Sequence, residues 1–138
     1  MGTVAVEESP LLLDTVAFIF WHAGSARLGK NARKAMLNAL DRTVYVSSIT
    51  AFEISTKARL GKLQVPDQLL TDFRYLVDSD GFRVLDLDAD AAIRAGRFES
   101  KNRDPFDRLI AAQAIATGCA VVTNDALFGS EFEVEVLW

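Results

Sequence analysis

Residues 103–113 read Arg103-Asp104-Pro105-Phe106-Asp107-Arg108-Leu109-Ile110-Ala111-Ala112-Gln113. The stretch places two carboxylates, Asp104 and Asp107, three residues apart at the start of an apolar run with helical spacing. An aspartate followed by a proline is typical of a helix N-cap with proline at the first helical position. We therefore predict a helix from Asp107 to Thr117 that ends at Gly118 and carries an acid pair at its start.

Short apolar runs and helical patterns alternate along the rest of the chain. The runs that predict β-strands lie at residues 11–13, 44–47, 82–87, 120–123 and 134–137. The patterns that predict the other α-helices lie at residues 15–21, 30–40, 50–60, 66–78 and 89–98. This alternation favours an α/β sandwich whose sheet is mostly parallel. We expect a single domain over residues 11–138, after a short lead-in at residues 1–10.

The composition is that of a globular domain, since 50% of the 138 residues are hydrophobic and 25% are charged. No apolar run approaches the ~20 residues of a membrane helix, and the N-terminus lacks the basic start of a signal peptide. The single Cys119 and the single His22 exclude a disulfide and zinc sites rich in cysteine or histidine. These features predict a protein of the reducing cytoplasm without membrane association. A net charge of −4 argues against a protein that binds nucleic acid non-specifically through a basic surface, but it is compatible with an acid cluster.

Three further acids follow predicted strands closely. Asp14 ends the first strand, and Asp125 follows the fourth strand by two residues. Glu53 lies one turn into the helix after the second strand. Because parallel α/β sheets bind ligands beyond the carboxyl ends of their strands, we expect these acids to face a common pocket. Asp107 joins them only if its helix begins at the same edge of the sheet.

Each acid also has a local explanation. Asp104 suits a helix cap, and Thr50-Ala51-Phe52-Glu53 fits a capping box. Asp14 and Asp125 suit turns after strands. These roles leave unexplained why acids collect at the strand ends, and a helix N-terminus itself favours an ionised carboxylate.

A cluster of carboxylates needs a compensating cation. Two carboxylates ~5 Å apart at an effective dielectric constant of ~20 repel by about 3 kcal/mol, so several cannot all stay ionised alone. Oxygen ligands without histidine or cysteine suit Mg²⁺ or Mn²⁺. Such an ion activates water and neutralises charge on a phosphodiester, so phosphodiester hydrolysis is the chemistry that this ligand set suits best.

Two groups of basic side chains accompany the acids. Arg103 and Arg108 flank the proposed pocket and are candidates for binding the substrate phosphate. We interpret the group formed by Lys57, Arg59 and Lys62 as solvated surface.

Five segments between Leu11 and Trp138 carry a family resemblance. They are Leu11-Leu12-Leu13-Asp14-Thr15, Ser47-Ser48-Ile49-Thr50-Ala51-Phe52-Glu53-Ile54, Arg103-Asp104-Pro105-Phe106-Asp107-Arg108-Leu109-Ile110-Ala111, Val122-Thr123-Asn124-Asp125 and Val136-Leu137-Trp138. Together they resemble the PIN-domain proteins, and among these the VapC-type toxins of bacterial toxin–antitoxin pairs.

The resemblance implies a three-layer α/β/α fold and a Mg²⁺- or Mn²⁺-dependent endoribonuclease that hydrolyses RNA. It implies that the protein is the toxin of a type II pair, is inhibited by a cognate antitoxin protein, and forms a homodimer. Catalytic and metal-binding roles are carried over onto Asp14, Glu53, Asp107 and Asp125. Accessory roles are carried over onto Asp104, Thr15 and Thr123.

Two positions depart from the family pattern. Many relatives have histidine after the first Asp-Thr, where this chain has Val16, and histidine shortly before Asp-Pro-Phe-Asp, where it has Ser100, Lys101 and Asn102. These departures concern substrate preference more than metal binding.

Two other interpretations stay open beside the endoribonuclease. In the first, the acids are only caps, and the chain is a non-catalytic RNA- or protein-binding module on the same fold. In the second, the chain is a receiver domain phosphorylated on aspartate. A receiver domain needs a lysine near the end of a late strand, and no lysine lies between Ala120 and Trp138.

Overall fold

A computed structural model of the protein describes residues 9–38 and 42–138. Its strands are β1 (Leu11–Leu13), β2 (Val44–Ser47), β3 (Arg83–Leu85), β4 (Ala120–Val122) and β5 (Val136–Leu137). They form one sheet in the order β3-β2-β1-β4-β5, and every neighbouring pair is parallel. The predicted parallel sheet of about five strands is confirmed.

Helices cover both faces of this sheet. The described helices are α1 (Thr15–His22), α2 (Lys30–Leu37), α3 (Ser48–Arg59), α4 (Asp67–Thr71), α5 (Phe73–Ser79), α6 (Ala89–Arg97), α7 (Pro105–Thr117) and α8 (Phe128–Phe132). None of these described helices is long and apolar enough to cross a membrane.

The central strand β1 divides its leucines between two cores. Leu11 and Leu13 join the core that contains Phe18 of α1, whereas Leu12 joins the core that contains Ile110 of α7. This follows from the two-residue period of a strand. All three leucines are fully buried, and each contributes about 1.5–3 kcal/mol of burial free energy. The fold is therefore a three-layer α/β/α sandwich, as expected.

The single helix predicted over residues 66–78 is wrong, because the structure has two helices there, α4 and α5. Asp72 separates them with φ −126° and ψ 33°, which lie outside the helical range. Leu69, Phe73 and Val77 nevertheless pack into one core at four-residue spacing. The apolar period thus continues through the break and gives no sign of it.

Helix α3 begins two residues earlier than predicted. Ser47 is its N-cap, and the Ser47 hydroxyl accepts a hydrogen bond from Ile49 N at 2.9 Å. The predicted capping box of Thr50 and Glu53 is therefore wrong. Glu53 lies in the second turn of the helix, where its carboxylate is not needed as a cap, and the residue is buried.

Other element ends differ from the prediction by a few residues, as is usual for such boundaries. Strands β3, β4 and β5 are shorter than predicted, and the short helix α8 has no counterpart in the prediction. Helix α2 ends at Leu37. Residues 39–41, which include the end of the predicted helix, lie outside the described residues, as do residues 1–8 of the lead-in.

Helix α7 begins at Pro105, two residues before the predicted start at Asp107, with the cap that the Asp-Pro pair indicates. Asp104 is its N-cap, and Asp104 Oδ1 accepts hydrogen bonds from Phe106 N at 2.9 Å and Asp107 N at 3.4 Å. Gly118 ends the helix with φ 67°. A helix that connects parallel strands runs back antiparallel to them, so its first turn lies at the edge where the strands end. Asp107, in this first turn, therefore lies at the same edge of the sheet as the other acids.

Candidate functional site

Three adjacent strands bring their carboxyl ends together. Strand β1 lies between β2 and β4, and the chain passes through β2 and β3 on one side before it returns to β4 on the other. The edge at β1 and β4 is thus the switch point at which α/β sheets bind ligands. Asp14 follows β1, Glu53 lies in the helix after β2, and Asp125 follows β4.

Asp14 combines a capping role with an unfavourable electrostatic environment. It is the N-cap of α1, and its Oδ1 accepts a hydrogen bond from Ala17 N at 2.8 Å. The buried Thr123 hydroxyl also hydrogen-bonds this carboxylate. Burial is the main reason that the pKa of Asp14 rises to about 6, and the negative charges of Asp107 and Glu53 add to it. Asp14 therefore interacts with acids from two other elements.

Glu53 is held from two sides. Its Oε1 accepts a hydrogen bond from Thr15 Oγ1 at 2.6 Å, and Thr15 Oγ1 lies 3.1 Å from Thr50 Oγ1. Its Oε2 lies 2.5 Å from Lys57 Nζ, one turn further along α3. Glu53 and both threonines are buried. The hydroxyl and the ammonium together fix the position of this carboxylate.

Asp107 reaches the site from the first turn of α7. Asn102 Nδ2 donates to Asp107 Oδ2 at 3.1 Å and to Glu131 Oε2 at 3.0 Å. Burial raises the pKa of Asp107, and the hydrogen bond from Asn102 opposes this rise. The negative charges that raise it further are those of Asp104, Asp125 and Glu53. The negative charges of three other acids therefore act on Asp107.

Asp125 and Thr123 form the turn after β4. Asp125 N donates to Thr123 Oγ1 at 3.1 Å, and Asp125 Oδ1 accepts from Leu127 N at 2.9 Å. Because Thr123 also hydrogen-bonds Asp14, its hydroxyl links two of the acids. Asp125 is exposed, as is the cap residue Asp104. Asp14, Asp104 and Asp125 thus each accept a local capping hydrogen bond and still belong to the cluster.

The two candidate phosphate-binding arginines have different environments. Arg108 donates to main-chain carbonyls of Ala95, Phe98, Ser100 and Asn102. These bonds tie the segment between α6 and α7 to the first turn of α7. They occupy the guanidinium that the sequence suggests for binding the substrate phosphate. Arg103 is exposed, and its guanidinium forms no hydrogen bond or ion pair with the described residues.

The donor chemistry of the cluster fits a hard divalent cation. The carboxylate and hydroxyl donors are all oxygen atoms, and the burial and mutual repulsion that raise the pKa of Asp14 are what a cation would relieve. Cys119 precedes β4 and so lies at the opposite edge of the sheet. Within residues 9–38 and 42–138, no group of three or more Asp, Glu, His or Cys side chains is arranged to hold an ion as it stands.

Three residues at the site were missed by the sequence analysis. Lys57 pairs with Glu53, so its interpretation as solvated surface is incomplete. The four-residue spacing of Glu53 and Lys57 is a helix ion-pair signal that could have identified it. Asn102 and Glu131 reach Asp107 through the tertiary fold, and nothing in their local sequence indicates this contact.

The family model of the PIN domain matches residues 11–130. The chain therefore belongs to the PIN domain family, whose members are generally nucleases that use divalent metal ions. The chain has no match among curated protein sequences.

Solved structures with the same fold include proteins of toxin–antitoxin systems. VapBC2 from Rickettsia felis, bound to a DNA fragment from its promoter, has 19% identity and a TM-score of 0.67 over 93% of this chain and 98% of that chain. FitAcB from Neisseria gonorrhoeae has 21% identity and a TM-score of 0.63 over 93% and 96%. VapC20 from Mycobacterium tuberculosis, a toxin that cleaves the sarcin–ricin loop, has 19% identity and a TM-score of 0.61 over 87% and 93%. The chain thus has the fold of PIN-domain toxins.

Proposed function

We propose that the protein is a Mg²⁺- or Mn²⁺-dependent endoribonuclease and the toxin of a type II toxin–antitoxin pair. The observation that carries this proposal is the convergence of acids from the end of β1, α3, α7 and the turn after β4 on one edge of the sheet, where burial and the charges of Glu53 and Asp107 raise the pKa of Asp14. Four separate segments of the chain bring carboxylates to one edge of the sheet. Helix capping alone gives no reason for such a concentration of negative charge.

The proposed cation ligands are Asp14, Glu53, Asp107 and Asp125, with Asp104 as an accessory acid. When bound, the cation would activate a water molecule and neutralise charge on the RNA phosphate. Hydrogen bonds orient the ligands: Thr15 holds Glu53, and Asn102 holds Asp107. Thr123 serves Asp14 in the same way. This support favours a site whose carboxylates are positioned before the substrate arrives.

The two arginines take different parts in the proposed reaction. Arg103 is the candidate for contact with the RNA backbone, because its guanidinium is exposed at the start of α7. Arg108 acts indirectly, because it holds the segment that carries Asn102 and Arg103. We therefore assign Arg108 a positioning role in place of the phosphate-binding role that its sequence position suggested.

The proposed partners are an RNA substrate, a cognate antitoxin protein and a second copy of the chain, and the proposed location is the cytoplasm. Support for the antitoxin comes from structures of the same fold, which include toxin–antitoxin complexes. The competing function is a non-catalytic RNA- or protein-binding module. It is favoured by the capping bonds that Asp14, Asp104 and Asp125 already make.

Cleavage of RNA by purified protein tests the proposal. With Mn²⁺ present, the wild type should cleave a structured RNA, and Asp107→Asn should abolish cleavage while the protein stays folded. The matched control is Asp90→Asn, which removes another acid from the first turn of a helix, here α6, outside the cluster. If Asp107→Asn cleaves as fast as the wild type, the mechanism is wrong. Binding of RNA without any cleavage would favour the binding module.

A further inference from the structure

The ammonium group of Lys57 contacts one member of the acid cluster, Glu53. Its Nζ is 2.5 Å from Glu53 Oε2, and the side chain of Lys57 is 44% exposed against 10% for that of Glu53. Among the described residues, Lys57 is the one basic side chain within ion-pair distance of a proposed cation ligand. It therefore reaches from the solvent side towards the carboxylates where the substrate phosphate would bind.

Helix stability alone gives little reason for this ion pair, because a pair at four-residue spacing stabilises a helix only slightly. The carboxylate of Glu53 is buried and also accepts a hydrogen bond from the Thr15 hydroxyl, so it keeps one partner when the ammonium leaves. A cation bound at Glu53 would supply the compensating charge in place of the ammonium. The ammonium of Lys57, whose side chain is the exposed member of the pair, is thus the partner that can be exchanged.

The geometry points to Lys57 as a phosphate-contacting residue, whose ammonium holds Glu53 in the free protein and moves to a non-bridging oxygen of the RNA phosphate in the substrate complex. The inference rests on the proposed function. A lysine suits this exchange because its charge sits on a flexible stem and its three donors can change partner. Positive charge placed at the phosphate oxygens stabilises the charge that develops during phosphodiester cleavage.

The inference predicts two effects of opposite sign in Lys57→Gln. The ammonium competes with a divalent cation for Glu53, so its removal should tighten Mn²⁺ binding by about two- to five-fold. Loss of the phosphate contact should lower kcat for RNA cleavage by about 10²-fold. A residue that only supports the structure would weaken cation binding and turnover together.

Two measurements on the purified full chain test this. The apparent Kd for Mn²⁺ is obtained from the rise in Tm on titration, and kcat and KM are obtained with the structured RNA that the wild type cleaves. Lys57→Arg should recover part of kcat, because the positive charge is retained. The matched control is Arg59→Gln, which removes the same charge from the same helix without touching Glu53 and should behave as the wild type in both assays.

The outcomes separate this inference from the proposed function. If the wild type cleaves RNA and Lys57→Gln cleaves it equally fast, only the proposed role of Lys57 is overturned. Weaker Mn²⁺ binding in Lys57→Gln also overturns it, because the ammonium then supports the cation site. A wild type that binds Mn²⁺ and RNA but cleaves nothing overturns the proposed function, and the phosphate role of Lys57 with it.

Discussion

Asp14→Asn should stabilise the metal-free protein at neutral pH. The pKa of Asp14 rises from 3.8 to about 6 on folding, which corresponds to about 3 kcal/mol lost from the free energy of unfolding above pH 6. The sign follows because the folded state binds a proton that the unfolded state releases between these pH values. Asparagine removes the charge, and it caps helices as well as aspartate does, so the bond from Ala17 N can persist.

The net gain is smaller than this figure, because the amide nitrogen of asparagine cannot accept the hydrogen bond that the Thr123 hydroxyl gives to the carboxylate. Subtracting ~1 kcal/mol for that bond leaves about 2 kcal/mol at pH 7.5. For a chain of 138 residues this raises Tm by about 7 °C. At pH 4, just above the ordinary pKa of 3.8, wild-type Asp14 is protonated in the folded state and partly protonated in the unfolded state, so most of the gain should disappear.

The assay is urea denaturation and thermal melting in EDTA at pH 4 and pH 7.5. The matched control is Asp88→Asn at the N-cap of α6, where the carboxylate accepts from Ala91 N at the same distance of 2.8 Å but is exposed. Its effect should stay within about 0.5 kcal/mol. A wild type as stable as Asp14→Asn at pH 7.5, or an equal gain at both pH values, would refute the charge-repulsion account.

Two further predictions concern the cation and the segment between α6 and α7. Mg²⁺ or Mn²⁺ should raise the Tm of the wild type far more than that of Asp14→Asn, because the variant lacks one proposed ligand; equal rises would contradict a shared site. Arg108→Gln should lose about 2 kcal/mol of stability and expose the amides of residues 98–104 to faster hydrogen exchange, because bonds to four carbonyls are lost. Arg103→Gln is its control, and unchanged exchange in Arg108→Gln would contradict the positioning role.

Local patterns predicted most of the secondary structure and the capping role of Asp104. Helices and strands differ in their apolar periods, and caps depend on neighbouring residues, so both can be recognised along the chain. The division at Asp72 could not be recognised in this way, because Leu69, Phe73 and Val77 keep one apolar period across it. The capping box at Thr50 failed because Ser47, three residues earlier, supplies the cap.

The composition of the acid cluster was predictable, whereas its assembly depends on the order of the strands. Asp14, Glu53 and Asp125 could be placed at strand ends from the sequence, since each closely follows an apolar run. The carboxyl ends of these strands are neighbours only because the chain returns to place β4 beside β1. The backward run of α7 then brings Asp107 to the same edge.

The particular contacts of the site were decided by tertiary structure alone. Arg108 binds carbonyls of its own connecting segment, and Asn102 joins Asp107 to Glu131, which lies 29 positions beyond Asn102 in the chain. No local pattern encodes such contacts, because they depend on how separate elements pack. The sequence thus indicates which carboxylates we propose as cation ligands, and the packing of α3, α7 and α8 around the sheet sets which side chains orient them.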